Sequence, residues 1–261
     1  MDSDKIMVQS SNDLLQKYCT VQFQRDLEYF NIQLSEKQIE QFLVYYEMLV
    51  EWNQKMNLTA ITEYDDVLKK HFVDSLSLTR VFDVMTAYDL TESLSVIDVG
   101  TGAGFPGLAL KIAFPGFKVT LLDSLNKRII FLNAVIEKLG LVGVETLHGR
   151  AEDFARPGKL RESFDLCVSR AVANLSSLSE YCLPYVKQDG LFISYKSEKI
   201  SEEVDAAEKA ISVLGGKMEG QIEFMLPDSD IYRKLVVIKK KKATPKKYPR
   251  KAGLPTKEPL S

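Results

Sequence analysis

Cysteine and histidine are scarce in this 261-residue chain, and their scarcity excludes several kinds of protein. The three cysteines (Cys19, Cys167 and Cys182) are odd in number and form no Cys-x-x-Cys pair, and there are only two histidines. These counts argue against a disulfide framework and against any structural zinc site. No stretch of 18 apolar residues is free of charge, so no segment is predicted to span a membrane.

The overall composition is that of an ordinary globular protein. Hydrophobic residues make up 45% of the chain and charged residues 27%, a balance that excludes a disordered chain. The length suits one large domain or a domain with a small appendage. Residues 1–5 are polar and acidic, unlike a signal or transit peptide. We therefore expect a cytoplasmic protein.

Charge is unevenly distributed along the chain. Of the 34 basic and 36 acidic residues, nine basic residues and one acid fall within residues 239–261. An acidic body with a net charge of −10 thus ends in a tail with a net charge of +8. Such a tail gains affinity for polyphosphate by releasing counterions, whatever the base sequence. The alternative is a solvated tail that only aids solubility.

The hydrophobic pattern divides the chain into a helical part and a part of alternating strands and helices. Before about residue 90, apolar residues recur at helical spacing over 14–25, 35–50 and 66–80, and the second run begins with a capping box at Ser35. From residue 93, short apolar runs alternate with helical ones, which predicts repeated βα units and a parallel sheet. Strands are predicted near 95–99, 117–122, 144–148, 165–169 and 190–195, and helices near 106–113, 126–139, 175–186 and 200–213.

The end of the chain is predicted to depart from this alternation. Residues 221–226 and 233–239 have no helix between them and are expected to form an antiparallel hairpin on the sheet edge. The prolines that follow predict neither helix nor strand. We therefore divide the chain into a helical extension packed on the core (1–92), an α/β core (93–240) and a flexible basic tail (241–261).

A glycine-rich segment follows the first predicted strand. Val96–Val99 runs directly into Gly100, Gly102, Gly104 and Gly107, and Pro106 stands where a helix would begin. Glycines allow a sharp turn and let a ligand approach main-chain atoms. In open α/β sheets such a loop lies at the carboxyl end of a strand, where ligands bind. A tight turn without a ligand is the alternative.

An acid follows the second predicted strand. Asp123 lies nineteen residues after Gly104, where its carboxylate can accept hydrogen bonds from both ribose hydroxyls of an adenosine-bearing cofactor. The alternative is that it only stabilises the start of the helix at 126–139. Together, the loop and the acid indicate adenosine binding.

Two further acids favour S-adenosylmethionine over a dinucleotide. The spacing from Gly102 to Gly107 formally matches the dinucleotide fingerprint. However, Asp98 lies inside the strand, where a carboxylate can steer a cationic cofactor. Glu152, after the third strand, lies where backbone groups can meet an adenine. Helix capping and surface charge are the alternatives for these two acids, and a nicotinamide oxidoreductase stays the competing function.

Six motifs resemble one family. They are Trp52-Asn53-x-x-x-Asn57-Leu58-Thr59, His71-x-x-Asp74-Ser75-Leu76, Asp98-Val-Gly-Thr-Gly-x-Gly-x-Pro-Gly107, Asp123-Ser-Leu-x-Lys-Arg128, Ser169-Arg170-Ala171 and Leu235-Val-Val-Ile-Lys239. In this order, over about residues 30–240, they resemble the bacterial small-subunit ribosomal RNA guanine-N7 methyltransferases, also called glucose-inhibited division protein B. The basic tail is similar to that of members from Gram-positive bacteria.

The resemblance implies a fold and a reaction. The fold would be a Rossmann-like class I S-adenosylmethionine-dependent methyltransferase, with a mostly parallel seven-stranded sheet, helices on both faces and an N-terminal helical extension. The reaction would methylate N7 of the guanine at position 527, in customary rRNA numbering, of 16S rRNA. The implied partner is 16S rRNA or the 30S subunit, and the protein is expected to be a monomer.

The resemblance also implies roles for residues of this chain. Gly100 and Phe105 match the cofactor loop, and Phe105 stands where other members have leucine. The segment from Asp123 through Ser124 and Leu125 matches the ribose side. Further matches are Ala151 and Glu152 at the adenine side, Arg170 in the cofactor pocket, and Asn57, Arg150, Lys196 and Arg233 near cofactor or RNA.

The implied chemistry needs no catalytic base. N7 of guanine carries a free lone pair, so no proton leaves before attack, and alignment alone accelerates the transfer. Cys167 lies within a predicted strand, which favours a buried structural thiol over a cytosine-C5 nucleophile. His71 and Trp52 are interpreted as packing residues, and no metal is expected. A ribosome-assembly protein that has lost catalysis is the remaining alternative.

Overall fold

The computed structural model describes residues 13–84, 93–170, 173–197 and 201–260. Its first part is helical, as the periodicity predicts. A helical turn at 13–17 precedes α1 (Val21–Glu28), α2 (Glu36–Met56), α3 (Tyr64–Val67), a π-helical segment (Leu68–Val73), α4 (Asp74–Leu76) and α5 (Thr79–Val84).

Strands and helices alternate from residue 95, close to the predicted positions. In chain order they are β1 (Ser95–Val99), α6 (Gly107–Ala113), β2 (Lys118–Asp123), α7 (Asn126–Leu139), β3 (Val144–His148), α8 (Ala151–Phe154), β4 (Phe164–Arg170), α9 (Leu175–Cys182), a 3-10 turn (Leu183–Tyr185), β5 (Val186–Lys196), α10 (Ser201–Val213), β6 (Gly216–Met225), β7 (Tyr232–Lys240) and α11 (Leu254–Lys257).

The strands form one seven-stranded sheet in the order β3-β2-β1-β4-β5-β7-β6. The first five are parallel, and β7 is antiparallel to both β5 and β6. The predicted hairpin is present, with β6 as its outer strand. Because the chain order reverses between β1 and β4, the crevice between their carboxyl ends is where an open sheet of this kind holds a ligand.

Local sequence signals set the ends of two long helices. At the start of α2, the Ser35 hydroxyl accepts from the Gln38 backbone N–H and the Gln38 side chain accepts from the Ser35 N–H, which confirms the capping box. At the end of α7, Gly140 adopts the left-handed conformation (φ +61°) expected of a C-cap glycine.

The helical extension is part of the core. Helix α2 packs against α6 and α7, and its apolar face joins Phe72, Leu108 and Phe131 in one buried cluster on that side of the sheet. A second cluster on the other side includes residues of α9 and α10. Tyr45 of α2 is completely buried, and its hydroxyl donates to the carbonyl oxygen of Ala103 in the glycine loop. The extension therefore contributes directly to the shape of that loop.

The expectation of a flexible tail is corrected by the structure. Glu180 of α9 is fully buried and forms an ion pair with Arg250, whose Nη2 lies 2.7 Å from Oε2. Residues 248–258, which we call the strap, lie against α9: the Ser177 hydroxyl donates to the Pro255 carbonyl at 2.7 Å. Pro255 stands in the first turn of α11, where proline is tolerated because no N–H is needed there.

Other expectations have mixed outcomes. The amphipathic run predicted over 14–25 is broken, because residues 18–20 separate the turn at 13–17 from α1. The proposed boundary at residue 92 lies outside the described residues, as do Ala171 and the first residue of the helix predicted at 200–213. Among the described residues, no helix has the length and apolarity needed to cross a membrane.

Candidate functional site

Two adjoining cavities open at the carboxyl ends of β1, β2 and β4, where the topology places a ligand. One, which we call the adenine-side cavity after the predicted adenine contacts Ala151 and Glu152 that line it, has a volume of about 300 Å³. The other, which we call the loop-side cavity, is lined by Gly102 and Phe105 of the glycine loop and has a volume of about 370 Å³. Gly100, Asp123 and Ser124 line both. Together the two fall in the range of ~300–1,000 Å³ that is usual for a small-molecule site.

The predicted glycine loop forms the wall between β1 and α6. The N–H groups of Gly100 and Thr101 both donate to the Leu122 carbonyl, at 2.8 and 3.1 Å, which ties the loop to β2. Gly100 and Gly102 line cavities, and both have positive φ. Gly104 (φ +100°) lines neither cavity, but a Cβ there would collide with the Tyr45 hydroxyl and would lie 2.9 Å from Leu132. The glycines therefore serve chain geometry as well as ligand approach.

Asp98 lies beneath this loop and does not reach either cavity. Its Oδ2 accepts from the Thr101 hydroxyl at 2.7 Å and from the Gly107 N–H at 2.8 Å. The side chain is fully buried, and burial raises its pKa to about 6. The sequence predicts that Asp98 steers a cationic cofactor. The structure places its carboxylate beneath the loop, where it lines neither cavity and holds the loop through Thr101 and Gly107.

Asp123 ends β2 with its carboxylate at the junction of the cavities. Its Oδ2 accepts from the Gly102 N–H and its Oδ1 from the Leu125 N–H, both at 2.9 Å. Arg128, one turn into α7, lies 3.1 Å from Oδ2. Asp123 thus lines both cavities, and Arg128 beside it lines the loop-side cavity.

Phe105 forms an aromatic wall of the loop-side cavity. Its ring stacks on His71 with centroids 4.5 Å apart, and on Tyr45 at 5.3 Å. The guanidinium of Arg170 lies over the same ring, 5.3 Å from its centroid. Phe105 therefore gives this cavity an apolar wall, as a leucine at the same position would.

Arg170 belongs to a buried cluster centred on Asp74. Arg170 Nη1 lies 2.9 Å from Asp74 Oδ2, and Arg233 Nε lies 2.7 Å from Oδ1. Arg170 Nη2 also lies 3.2 Å from His71 Nδ1. Arg170 therefore lines the loop-side cavity while also forming an ion pair with the buried Asp74.

The strap borders the adenine-side cavity through Thr256. Ala151 and Glu152 line it as predicted, together with Tyr181 and Thr256, whose hydroxyl oxygens lie 2.6 Å apart. Glu152 Oε1 accepts from the Gly253 N–H at 2.8 Å. The acid predicted for the adenine side thus also fastens the strap.

The remaining predicted residues are divided between the site and its supports. Arg150 lines the adenine-side cavity. Asn57 is the left-handed C-cap of α2 and is exposed. Lys196 pairs with Glu203 and donates to the Ala173 carbonyl, so it supports a cavity wall without lining it. Arg233 likewise acts through Asp74, and Leu125 contributes its N–H to Asp123.

Several residues of the site were missed by the sequence reasoning. Thr59, Asp74 and Arg128 lie inside motifs that were noticed, but nothing in their spacing showed what they contact. His71 was assigned to packing, yet it lines the loop-side cavity. Tyr181 and Thr256 are 75 positions apart, so only the fold brings them together.

The arrangement suits binding and alignment rather than proton transfer. Burial and the neighbouring Arg170 lower the pKa of His71 to about 3, which keeps the ring neutral. Cys167 is completely buried in β4 and lines neither cavity, and burial raises its pKa. Among the described residues no group of acids, histidines and cysteines has the arrangement of a metal site.

Comparison with known proteins matches most of the chain to one family. A family model described as rRNA small subunit methyltransferase G matches residues 38–231. The ribosomal RNA small subunit methyltransferase G of Lachnoclostridium phytofermentans is 54% identical over 238 residues, covering 91% of this chain and 96% of the relative. The protein of that name from Lactococcus lactis subsp. lactis is 49% identical over 239 residues, covering 92% and 98%.

Solved structures agree on the fold. A putative methyltransferase, solved in complex with the Trm112 methyltransferase activator of Haloferax volcanii, aligns with a TM-score of 0.52 and 14% identity. The alignment covers 74% of this chain and 98% of that one. At this identity the likeness concerns the fold alone, which is the class I methyltransferase architecture.

Proposed function

The chain belongs to the rRNA small subunit methyltransferase G family, and from this membership we propose that it transfers the methyl group of S-adenosylmethionine to N7 of a guanine in 16S rRNA. It is therefore an enzyme, and the nicotinamide oxidoreductase considered above is set aside. The observation that carries the proposal is the pair of cavities meeting at Asp123, beside a glycine loop at the switch point of the sheet.

The lining residues assign each part of the donor to one of the cavities. Ala151, Glu152 and Tyr181 would hold the adenine, Asp123 would accept from the ribose hydroxyls, and the loop-side cavity would receive the methionine part. Once bound, S-adenosylmethionine supplies an electrophilic methyl group on a sulfonium. Arg128 forms an ion pair with the Asp123 carboxylate, and the Arg128 side chain is 31% exposed. We therefore infer that the Arg128 side chain moves away from Asp123 when the ribose binds.

The residues of the loop-side cavity align the reactants and do not remove a proton. Neutral His71 and Phe105 form a flat wall, and Arg170 is held in place by Asp74. N7 attacks with its own lone pair, in line with the departing sulfur, so alignment is the main contribution. Positive charge passes from donor to base, which requires no general base.

A basic groove next to the adenine-side cavity suits the RNA backbone. The groove has a volume of about 550 Å³ and is lined by Arg150, Lys251, Lys257 and neighbouring strap residues. All three cations are exposed, and Arg150 lines both this groove and the cofactor cavity. Cations held on an anchored segment can neutralise successive phosphates and release their counterions.

The groove predicts that lysines of the same basic segment contribute unequally to RNA binding. Changing Lys251 and Lys257 to Gln should weaken binding of 16S rRNA and reduce the salt slope of its log affinity by about two. Lys246→Gln with Lys247→Gln is the matched control, because these exposed lysines lie outside the groove. Filter binding at several salt concentrations measures both, and an equal loss in the two pairs would show that only total charge matters.

The proposed reaction is tested on its product. The protein is incubated with tritiated S-adenosylmethionine and 30S subunits or naked 16S rRNA that lack the modification. We expect label in the RNA and selective cleavage at one guanine after borohydride and aniline, since N7-methylguanosine is labile to this treatment. Binding of S-adenosylhomocysteine without label transfer would instead support an assembly protein that has lost catalysis.

The finer statements on partner and location belong to the same proposal. Membership of a ribosomal RNA methyltransferase family supports 16S rRNA or the 30S subunit as substrate. We propose that the protein acts as a monomer in the cytoplasm, where its substrate is assembled.

A further inference from the structure

Thr59 lies in the loop between α2 and α3 and helps to line the loop-side cavity. Its position is fixed by Asn53 of α2, whose Oδ1 accepts from the backbone N–H groups of Leu58 and Thr59 at 2.6 and 2.9 Å. The hydroxyl therefore projects from a held backbone, and its hydrogen bonds can be assigned one by one.

The tautomer of His71 follows from its neighbours. Arg170 Nη2 lies 3.2 Å from His71 Nδ1. A guanidinium nitrogen can only donate, so we assign Nδ1 as the acceptor of the ring. In a neutral imidazole the proton then lies on Nε2, which is 2.8 Å from Thr59 Oγ1. The His71 Nε2–H therefore donates to the Thr59 hydroxyl, and burial beside Arg170 keeps the ring neutral.

The Thr59 hydroxyl thus has both of its acceptor sites in use. Besides the His71 proton, Oγ1 accepts the Ile61 N–H at 3.0 Å. A hydroxyl has two acceptor lone pairs and a single hydrogen to donate. Within the described part of the chain, Oγ1 makes no other side-chain or backbone hydrogen bond, and Thr59 lines the loop-side cavity.

We propose that Thr59 is a specificity-determining residue, donating its hydroxyl hydrogen to an acceptor oxygen of a bound reactant. This rests on the proposed function, which brings two such oxygens to this cavity: the carboxylate of the methionine part and O6 of the target guanine. An amino group could not replace either oxygen, because it would present a second donor to Thr59. At the guanine, the bond would discriminate against adenine, which carries an amino group where guanine has O6.

The test uses variants that separate the hydroxyl from the shape of the side chain. Thr59→Val keeps the shape and loses the hydroxyl, whereas Thr59→Ser keeps the hydroxyl. Thr62→Val is the matched control, since Thr62 is three residues away and lines neither cavity. Calorimetry with S-adenosylhomocysteine reports on the cofactor, and methyl transfer to unmodified 30S subunits gives kcat and KM for the RNA.

Two arms distinguish the oxygens. If the carboxylate is the acceptor, Thr59→Val weakens the binding of S-adenosylhomocysteine about tenfold. The two proteins then bind the decarboxylated analogue with equal affinity. If guanine O6 is the acceptor, cofactor affinity is unchanged and kcat/KM falls about tenfold. That loss disappears for RNA carrying 2-aminopurine, which retains N7 and lacks O6. Thr59→Ser should restore most of either loss.

Removing the ligand oxygen also controls for damage to the loop. Valine leaves the donors of His71 and Ile61 unpaired, so it could weaken binding merely by moving the chain. Such an effect would persist with the analogue lacking the oxygen, and that result would overturn the proposal. Wild-type behaviour of Thr59→Val in both assays would overturn it as well. If the wild-type protein transfers no methyl group to the RNA, that result would count against the proposed function instead.

Discussion

At the residue scale, Asp123 is the side chain on which we expect cofactor binding to depend most. It fixes Gly102 through one carboxylate oxygen and Leu125 through the other, while being aimed at the junction of the cavities. Asp123→Ala should weaken S-adenosylhomocysteine binding by about 1–3 kcal/mol, because charge-assisted hydrogen bonds are lost. Calorimetry measures this directly. Asp153→Ala removes an exposed acid near the site and should bind normally; equal affinities for all three proteins would show that Asp123 does not face the ribose.

Asp98 makes a different prediction, which concerns stability and pH. Burial raises its folded-state pKa from 3.8 to about 6. The folded protein therefore binds this proton more tightly than the unfolded chain does, so the stabilisation is complete below pH 3.8 and is lost as pH rises through 6. The Asp98→Asn variant has no titrating carboxyl at this position, so its stability does not fall with pH for this reason. The unfolding free energy of the variant relative to wild type should rise by about 2.5 kcal/mol between pH 4 and pH 8.

Urea titrations at the two pH values give this difference. His71, whose pKa is lowered, contributes stability in the opposite direction, present above its unfolded value and lost as pH falls. It is common to both proteins, so its effect cancels in the comparison. A difference between variant and wild type that is the same at both pH values would mean that Asp98 titrates normally.

At the element scale, the glycine loop separates two uses of glycine. A Cβ on Gly102 would meet nothing within 4 Å, whereas a Cβ on Gly104 would collide with Tyr45 and Leu132. Both have positive φ. Gly102→Ala should therefore cost about 1–2 kcal/mol of folding stability from backbone strain. Gly104→Ala should cost about 2–4 kcal/mol, because overpacking adds to the strain.

Chemical denaturation of the two alanine variants tests this ranking. Gly104→Ala should also weaken cofactor binding, because the new methyl group displaces Tyr45 from the loop. If the two variants lost equal stability, the packing of α2 against the loop would be irrelevant to folding.

The elements themselves could largely be predicted because their signals are local. Buried apolar runs gave β1, β2 and β4, and the capping box and Gly140 gave the ends of α2 and α7. The π-helical segment Leu68–Val73 could not be foreseen, since it departs from helical spacing by a single hydrogen-bond register. It carries His71 into the cavity wall, which is why a histidine that looked like a packing residue belongs to the site.

Predictability of the site follows the same division. Gly100, Asp123 and Glu152 lie at strand ends or the turn after them, so the topology alone brings them together. That Asp98 lines neither cavity could not be predicted, because the direction of its side chain depends on the path of the loop above it. Tyr181 and Thr256 depend on a contact between distant segments, for which the sequence carries no signal.

At the scale of the whole molecule, the strap changes the meaning of the basic tail. Lys251 and Lys257 of the tail remain available to bind RNA. Arg250, in contrast, forms an ion pair with Glu180, whose carboxylate is completely buried. Deleting residues 243–261 leaves that carboxylate without its partner. We expect a loss of about 3–5 kcal/mol in unfolding free energy, together with weaker binding of S-adenosylhomocysteine.

Glu180→Gln introduced into the shortened protein should recover part of this stability, because a neutral amide costs less to bury than an unpaired charge. Urea unfolding compares the full-length protein, the deletion and the deletion with Glu180→Gln. An unchanged midpoint after deletion would indicate that the strap adds no stability to the folded chain.

The hydrogen bond from Tyr45 to Ala103 makes the N-terminal helices and the α/β core unsuitable as interchangeable modules. The ring packs on Phe105 while its hydroxyl holds the backbone two residues earlier. A chimera that joins the helices of one relative to the core of another would inherit a loop shaped for a different tyrosine contact. Recombination within this group of enzymes should therefore succeed only where both sides of that contact are inherited from one parent.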